Sequence, residues 1–345
     1  MPELILHIGT HKTGTTSIQH FCTDNRKALR ARGLWYPSPD LGSFPKHYAH
    51  HRIAHAIAGV DSNFSIDDSR RFFDRVRRRA RHAERILVSA EPFYRHALNP
   101  DGPVDRQDPA QLHRFVEAVG TCLGGFDVKV LVALRRQDRF AESLYAEQIL
   151  ASGYTASIEK FVSARSALLD YRQRLDDWAS VFGESNMIVA TFEPTRRDQP
   201  VEYEFLELVG VNDTNGLDVA PPRNVTPRRA LVEFKRLINV NGQPTATNRA
   251  LRQWIEQAAT DPTVTTPDIG ERYMSPRSRI DLLDRSLDDN EHIAERFLER
   301  RQLFEGSAIE EIRRTTQARD LTDAEFRQLS QAMWQLVARG ATSDV

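Results

Sequence analysis

Residues 4 to 19, LILHIGTHKTGTTSIQ, leave the chain few options: an apolar run breaks into a loop of small residues around one lysine, then enters an amphipathic stretch. Leu4, Ile5, Leu6 and Ile8 suit a buried strand, and Ile18, Phe21, Cys22 and Leu29 recur at helical spacing. A strand that feeds a helix through such a loop turns unpaired backbone N–H groups and the positive end of the helix dipole outward, which makes a place for an anion. Gly9 and Gly14 let a phosphate or sulfate approach the backbone, Lys12 adds a mobile positive charge, and Thr13, Thr15, Thr16 and Ser17 add hydroxyl donors. The phosphate-binding loop of NTPases reads G-x-x-x-x-G-K-[ST], with its lysine directly after the second glycine. Here the glycines keep that spacing, but Thr15 and Thr16 follow Gly14 and the lysine lies two places before it.

In that departure, H-K-T-G-T-T-S after a strand resembles the 5′-phosphosulfate-binding loop of sulfotransferases that use 3′-phosphoadenosine 5′-phosphosulfate (PAPS). A second segment carries the same resemblance. In VKVLVALRRQDRFAESLYAEQI, Val128 to Leu134 form a continuous apolar run suited to a central parallel strand, with Arg135 at its carboxyl end. The resemblance implies that Arg135, and Ser143 on the following helix, hold the 3′-phosphate of the nucleotide. A guanidinium fork binds phosphate bidentately, and a hydroxyl adds one donor. Tyr145 completes the R-x-x-x-x-x-x-x-S-x-Y form common among carbohydrate sulfotransferases. Arg136 and Gln137 depart from the Asn or Asp followed by Pro that many relatives have there.

Between the two phosphate loops lies RILVSAEPFYR, in which Ile86 to Val88 read as a strand that delivers Glu91 at its end. Open parallel sheets bind ligands just outside the carboxyl ends of their strands, so Glu91 is expected in the same crevice as Lys12 and Arg135. In cytosolic sulfotransferases the comparable strand ends in K-T-H-L-P, whose histidine is the catalytic base. That histidine falls on Glu91, and Ser89 falls on the lysine of the motif; glutamate is the base in other branches of the family. Competing candidates sit in FPKHYAHHRIAHAI, where other branches place a catalytic carboxylate: His47 and His51, with His50 and His55 beside them. Histidine has the right unperturbed pKa for proton transfer near neutrality. His51 and His55 have the spacing of a helical metal pair, but no Glu lies between them and neither cysteine has a partner at zinc spacing, so no metal is expected.

Residues 70 to 85, RRFFDRVRRRARHAER, read as an amphipathic helix with Phe72, Phe73, Val76, Ala80 and Ala83 on one side and arginines on the other. Such a run is a solvated face or a docking surface for an anionic acceptor. With 47 Lys plus Arg against 48 Asp plus Glu and no aromatic-interleaved basic module, nucleic acid is not an expected partner. The chain has 345 residues, 40% hydrophobic, enough for a sizeable core. It shows no apolar run of membrane-spanning length and no basic-then-apolar leader, and Cys22 and Cys122 fall on helix faces expected to be buried; membrane insertion is not expected and a cytoplasmic location is.

Downstream, Met187 to Thr191 read as a strand followed by Phe192 and Glu193, then a helix ending near Gly210; this too resembles the family, in which such a strand ends in an aromatic-acid pair. RNVTPRRALVEFKRLIN holds a helix start at Thr226 and Pro227, and Asn224 with Thr226 resembles a segment of bacterial relatives. Residues 241 to 270 read as loop, a candidate lid or acceptor loop, interrupted by a short helix around Leu251 to Ala258. Two helices follow, the last opening on a Thr322 to Glu325 capping box. The resemblance covers about residues 4 to 211. In the family, basic residues from the C-terminal part often complete the 3′-phosphate site; Arg228, Arg277 and Arg279 are the candidates.

These readings combine into an α/β fold with a P-loop-like central parallel sheet flanked by helices and extra C-terminal helices. One domain is expected over 1–345, with a nucleotide-binding core at 1–215 and a mainly helical extension with loops at 216–345. The expected activity is in-line transfer of a sulfuryl group from PAPS to an acceptor hydroxyl, leaving 3′-phosphoadenosine 5′-phosphate (PAP). Lys12 is the charge stabiliser, with Glu91 or His47 as base; Thr13, Gly14, Thr15, Thr16, Ser17, Arg135 and Ser143 bind the donor. The acceptor is a small molecule or glycan: sugar, lipid-linked sugar, phenol or peptide tyrosine would each fit, and the histidine and arginine content favours carbohydrate. A P-loop kinase of a small molecule and a non-catalytic nucleotide- or glycan-binding protein remain alternatives, and oligomeric state is not legible.

Overall fold

The structure, a computed structural model, describes residues 1–80, 83–192, 199–220, 227–242, 244–304, 308–315 and 318–341. The fold is α/β. Five strands, β1 (Glu3–Gly9), β2 (Leu34–Trp35), β3 (Arg85–Ser89), β4 (Asp127–Leu134) and β5 (Met187–Thr191), form one sheet in the order β2-β3-β1-β4-β5. Every neighbouring pair is parallel. The central strands read as apolar runs because helices cover both faces, and Leu4, Leu6, Val88, Val130 and Leu134 are fully buried. The chain leaves β1 toward one side and reaches β4 on the other, so the carboxyl end of β1 is a topological switch point.

Helices α1 (Thr15–Asp24), α2 (Arg26–Ala31), α3 (His51–Ile57), α4 (Ile66–Arg79), α5 (Pro92–Arg95), α6 (Pro109–Cys122) and α7 (Gln137–Ala151) follow in chain order. α4 starts earlier than the apolar stripe alone indicates, because Ser65 and Asp68 form a reciprocal capping box. Phe72, Phe73 and Val76 bury its inner face. Cys22 and Cys122 are free and buried.

Contacts divide the chain into two compact units. The first comprises Met1–Arg136, Arg165–Pro221 and Ser286–Glu305; the second comprises Gln137–Ala164, Pro222–Arg285 and Gly306–Val345. The first holds the whole sheet, and the helix Leu287–Leu298 packs there against β5 and the helix Tyr171–Phe182. In the second, α7 packs with the helices Arg229–Asn239, Thr245–Thr260 and Pro276–Arg285. Its buried Asp138 receives two bonds from Arg279, at 2.9 and 2.6 Å. The buried Glu142 of α7 accepts from the backbone N–H groups of Tyr273 and Met274, and Lys235 donates to the carbonyls of Ile149 and Ser152.

The loop expected over 241 to 270 is largely helix: Thr245–Thr260 is continuous. The short helix expected around Leu251 to Ala258 is there and begins earlier, at Thr245: the stripe Leu251, Ile255 and Ala258 is buried, and the threonines before it join the same helix despite their modest propensity. The terminal helix Asp323–Ala341 starts at the expected box, with Thr322 N–H donating to Glu325 and Glu325 N–H to Thr322 Oγ1. No helix among the described residues is long and apolar enough to cross a membrane.

Candidate active site at the carboxyl edge of the sheet

Three neighbouring strands, β3, β1 and β4, deliver Glu91, Lys12 and Arg135 to one edge of the sheet. The backbone ties these strand ends together: Thr10 N–H donates to Ala133 O, Ala90 N–H to His7 O, and Arg135 Nη1 to Lys12 O at 3.0 Å. The guanidinium of Arg135 also stands over the Phe192 ring, 5.9 Å from its centroid, and Tyr171 donates to the Arg135 carbonyl. Arg135 therefore braces the loop that carries the lysine as well as facing the strand ends.

The loop itself is shaped by left-handed backbone. Lys12 has φ 65 and Gly14 φ 79, and Gly14 occupies the N-cap position of α1. A lysine in that region is held at a cost that only surrounding bonds justify, and such strain is concentrated at functional sites. Gly9, at φ 89, has a second reason to be glycine: a Cβ there would stand 3.1 to 3.2 Å from Glu91 atoms. The missing side chain is what lets Glu91 lie against the loop.

The hydroxyls divide into two groups. Thr13 and Thr15 are buried, and both donate to Thr10 O, at 2.7 and 3.3 Å, which pins the turn. Thr16 and Ser17 are partly open in the first turn of α1, and Lys12 is exposed.

Glu91 is 5% exposed. It stands at the N-cap position of α5, yet its side chain caps nothing. Its Oε2 accepts instead from His51 Nε2 at 2.5 Å and from Gln19 Nε2 at 3.3 Å. Burial pushes the carboxyl pKa up, but the His51 hydrogen bond, the attraction of the His51 imidazolium whenever that ring is protonated, and the nearby His11 outweigh it, and the group lies far below the usual carboxylate range. Behind it, His7 Nδ1 meets Ser89 Oγ at 2.9 Å, and Gln19 Nε2 donates to the same hydroxyl at 3.2 Å. Gln19 was invisible as a site residue in the sequence because only the helical phase of α1 aims it at β3. The pairing of His51 with Glu91, 40 residues away in the chain, was equally hidden.

The remaining histidines separate by surroundings. His47 Nδ1 accepts from Ala49 N–H at 3.0 Å, its ring stacks on Tyr48, and burial lowers its pKa. It is near His51, with ring centroids 5.8 Å apart. His50 is fully buried, its Nε2 donating to Pro37 O and its Nδ1 accepting from Ser89 N–H. His55 Nδ1 meets His96 Nε2 at 2.8 Å. Burial lowers the pKa of His7 to about 4 and of His50 to about 3.

Those two shifts carry a sign. An unfolded histidine takes a proton as pH falls through about 6.5, whereas these two stay neutral when folded, so stability falls with pH between about 6.5 and 4. From pH 7 to pH 5 each should cost about 2 kcal/mol, and His55 and His96, whose pKa values burial lowers to about 4 and about 2, add losses of the same sign, so urea unfolding at pH 5 is expected to give a stability several kcal/mol below that at pH 7. Equal stabilities would mean that these rings are not held neutral.

Ser143 lies half-buried on α7, in the second unit. There, Tyr145 donates to Ala156 O and packs among Tyr154, Phe161 and Tyr273. Of the C-terminal candidates, Arg279 is committed to Asp138, Arg228 donates to Thr266 Oγ1, and the side chain of Arg277 is 93% exposed. Glu193, Asn224 and Thr226 lie outside the described residues.

No family model matches the chain, and no curated protein matches it. Among solved structures it is similar to a sulfotransferase from Alicyclobacillus acidocaldarius, at 16% identity, over 74% of this chain and 96% of that one, with a TM-score of 0.41.

Proposed function

We propose that this protein transfers a sulfuryl group from PAPS to an acceptor hydroxyl, and that the acceptor is a carbohydrate. The observation that carries the reading is the meeting of three functions at adjacent strand ends: the Lys12 loop on β1, the Glu91–His51 pair after β3 and Arg135 after β4. The residues present suit such a donor. The N-terminal amides of α1, the hydroxyls of Thr16 and Ser17 and the exposed Lys12 form an anion cradle, and the guanidinium of Arg135, braced on the Lys12 carbonyl, adds a positive charge beside it for a second phosphate. When bound, the donor supplies the sulfuryl group and departs as PAP. Lys12 and the amides of α1 stabilise the negative charge that develops on the departing phosphate, a preorganised electrostatic task. Glu91 holds His51 through Nε2, which leaves the more exposed imidazole to take the acceptor proton at Nδ1. The pair is then the base, with His51 as acceptor of the proton and Glu91 as stabiliser of the imidazolium that forms.

The test is a titration with PAP and, in parallel, with ATP plus magnesium, read as thermal stabilisation and calorimetric affinity. Stabilisation by PAP is expected, and Arg135→Ala should weaken it about 10- to 100-fold, the loss of a charge-assisted phosphate contact. Stabilisation by ATP–magnesium alone would replace the reading with that of a small-molecule kinase. PAP binding undiminished in Arg135→Ala would remove that residue from the donor site.

A further inference from the structure

Beside the edge strand β2, in the first unit, lies a cavity of 840 Å³ between α2, the chain after β2 and the end of α4. Five cations line it, Arg26, Lys27 and Arg30 from α2 and Arg78 and Arg79 from α4, against one carboxylate, Asp40. Their concentration is not an accident of an arginine-rich helix. Earlier on α4, Arg70, Arg71 and Arg77 each pair with an aspartate three residues before, Asp67, Asp68 and Asp74. Among the described residues none of the five cavity cations forms an ion pair, and Arg26 keeps Nε and Nη2 buried with no acceptor. Ser38 Oγ, in the same lining, is also buried and unsatisfied. Buried donors of this kind are rare in folded proteins, and like charges gathered in a concave wall attract a counter-ion.

The aromatic residues of the cavity say which anion. Arg26 lies over Tyr36 and Arg30 over Trp35, at 5.4 and 4.9 Å from the ring centroids, and the two rings are 1% and 8% exposed. Their faces are covered, so a nucleobase has nothing to stack on. What faces the cavity is a set of guanidinium forks and a lysine, which match tetrahedral oxyanions spaced along a chain. We propose that this cavity binds an already sulfated oligosaccharide through its sulfate groups, holding an acidic acceptor chain away from the reacting hydroxyl. The inference rests on the transfer reading only for the acceptor role; binding itself does not depend on it.

Calorimetry with a heparin-derived tetrasaccharide, without donor, tests it. The tetrasaccharide is expected to bind, its fully desulfated counterpart at least 10-fold more weakly, and Arg78→Gln/Arg79→Gln to lose at least 10-fold. Arg70→Gln/Arg71→Gln removes the same charge from the same helix outside the cavity and is expected to bind like the parent. If both double variants lose equally, the attraction is general surface charge and the cavity is not a site. Lys27→Gln/Arg30→Gln repeats the test from α2 should the first variant not fold. Equal binding of the desulfated sugar, or tighter binding of an eight-nucleotide oligothymidine, would overturn the proposal. The two readings fail separately: PAP binding with no tetrasaccharide binding removes the cavity and leaves transfer, and the reverse removes transfer and leaves the cavity.

Discussion

Replacing Lys12 by alanine is expected to lower turnover by about 10²- to 10³-fold, the cost of removing one preorganised donor from developing charge. The loss should appear in kcat more than in KM, because the amides of α1 and Arg135 still hold the donor while the transition state loses its closest cation. Folding offers no rival explanation that cannot be checked. Lys12 is exposed, and its carbonyl, which accepts from Arg135, survives any side-chain change. Its φ of 65 supplies a sharper control. Lys12→Gly relieves the left-handed strain while removing the same charge, so its melting temperature should equal or exceed that of the parent even as turnover disappears. Turnover within a few-fold of the parent in either variant, with the fold intact, would sink the assignment of Lys12.

What was legible in the chain follows from how local each feature is. The anion loop could be read because two glycines, a lysine and a strand-to-helix transition lie within 16 residues, and Glu91 and Arg135 because each ends an apolar run. Parallel sheets align such ends, so the sequence alone assigns three separate strands to one edge. Gln19 and the choice among four histidines were not legible. They depend on the rotation of α1 and α3 about their axes, and His50, which differs from His51 by one position, is buried against backbone carbonyls while His51 reaches Glu91. The hydroxyls show the same limit. Composition credits Thr13 and Thr15 equally with Thr16 and Ser17, yet the turn directs the first two at Thr10 O. The helix Thr245–Thr260 was legible only over its apolar stripe at 251–258; its first turns were hidden because threonine, proline and glycine are turn signals.

The largest remaining effect is expected at the Glu91–His51 pair, where two assignments of the base give opposite results in one variant. If the pair acts together, Glu91→Gln and His51→Ala should each cut kcat by about 10²- to 10³-fold, and the double variant should be little worse than either, as for groups that work as a unit. If Glu91 is the base alone, His51→Ala keeps turnover but moves its pH dependence. The direction follows from the forces on Glu91: His51 supplies the hydrogen bond and charge that lower its pKa, while burial raises it. Without His51 the raising influence is left less opposed, so the acid limb of the rate profile should move to higher pH as Glu91 takes up a proton more readily. With His51 as the proton acceptor, that variant instead loses rate at every pH and no acid limb is displaced. Gln19→Ala serves as the intermediate case. It removes one 3.3 Å bond to Oε2 and leaves the 2.5 Å bond to His51, so it should cost about tenfold or less on either assignment. A loss from Gln19→Ala as large as from His51→Ala would mean that the amide, rather than the imidazole, governs the carboxylate.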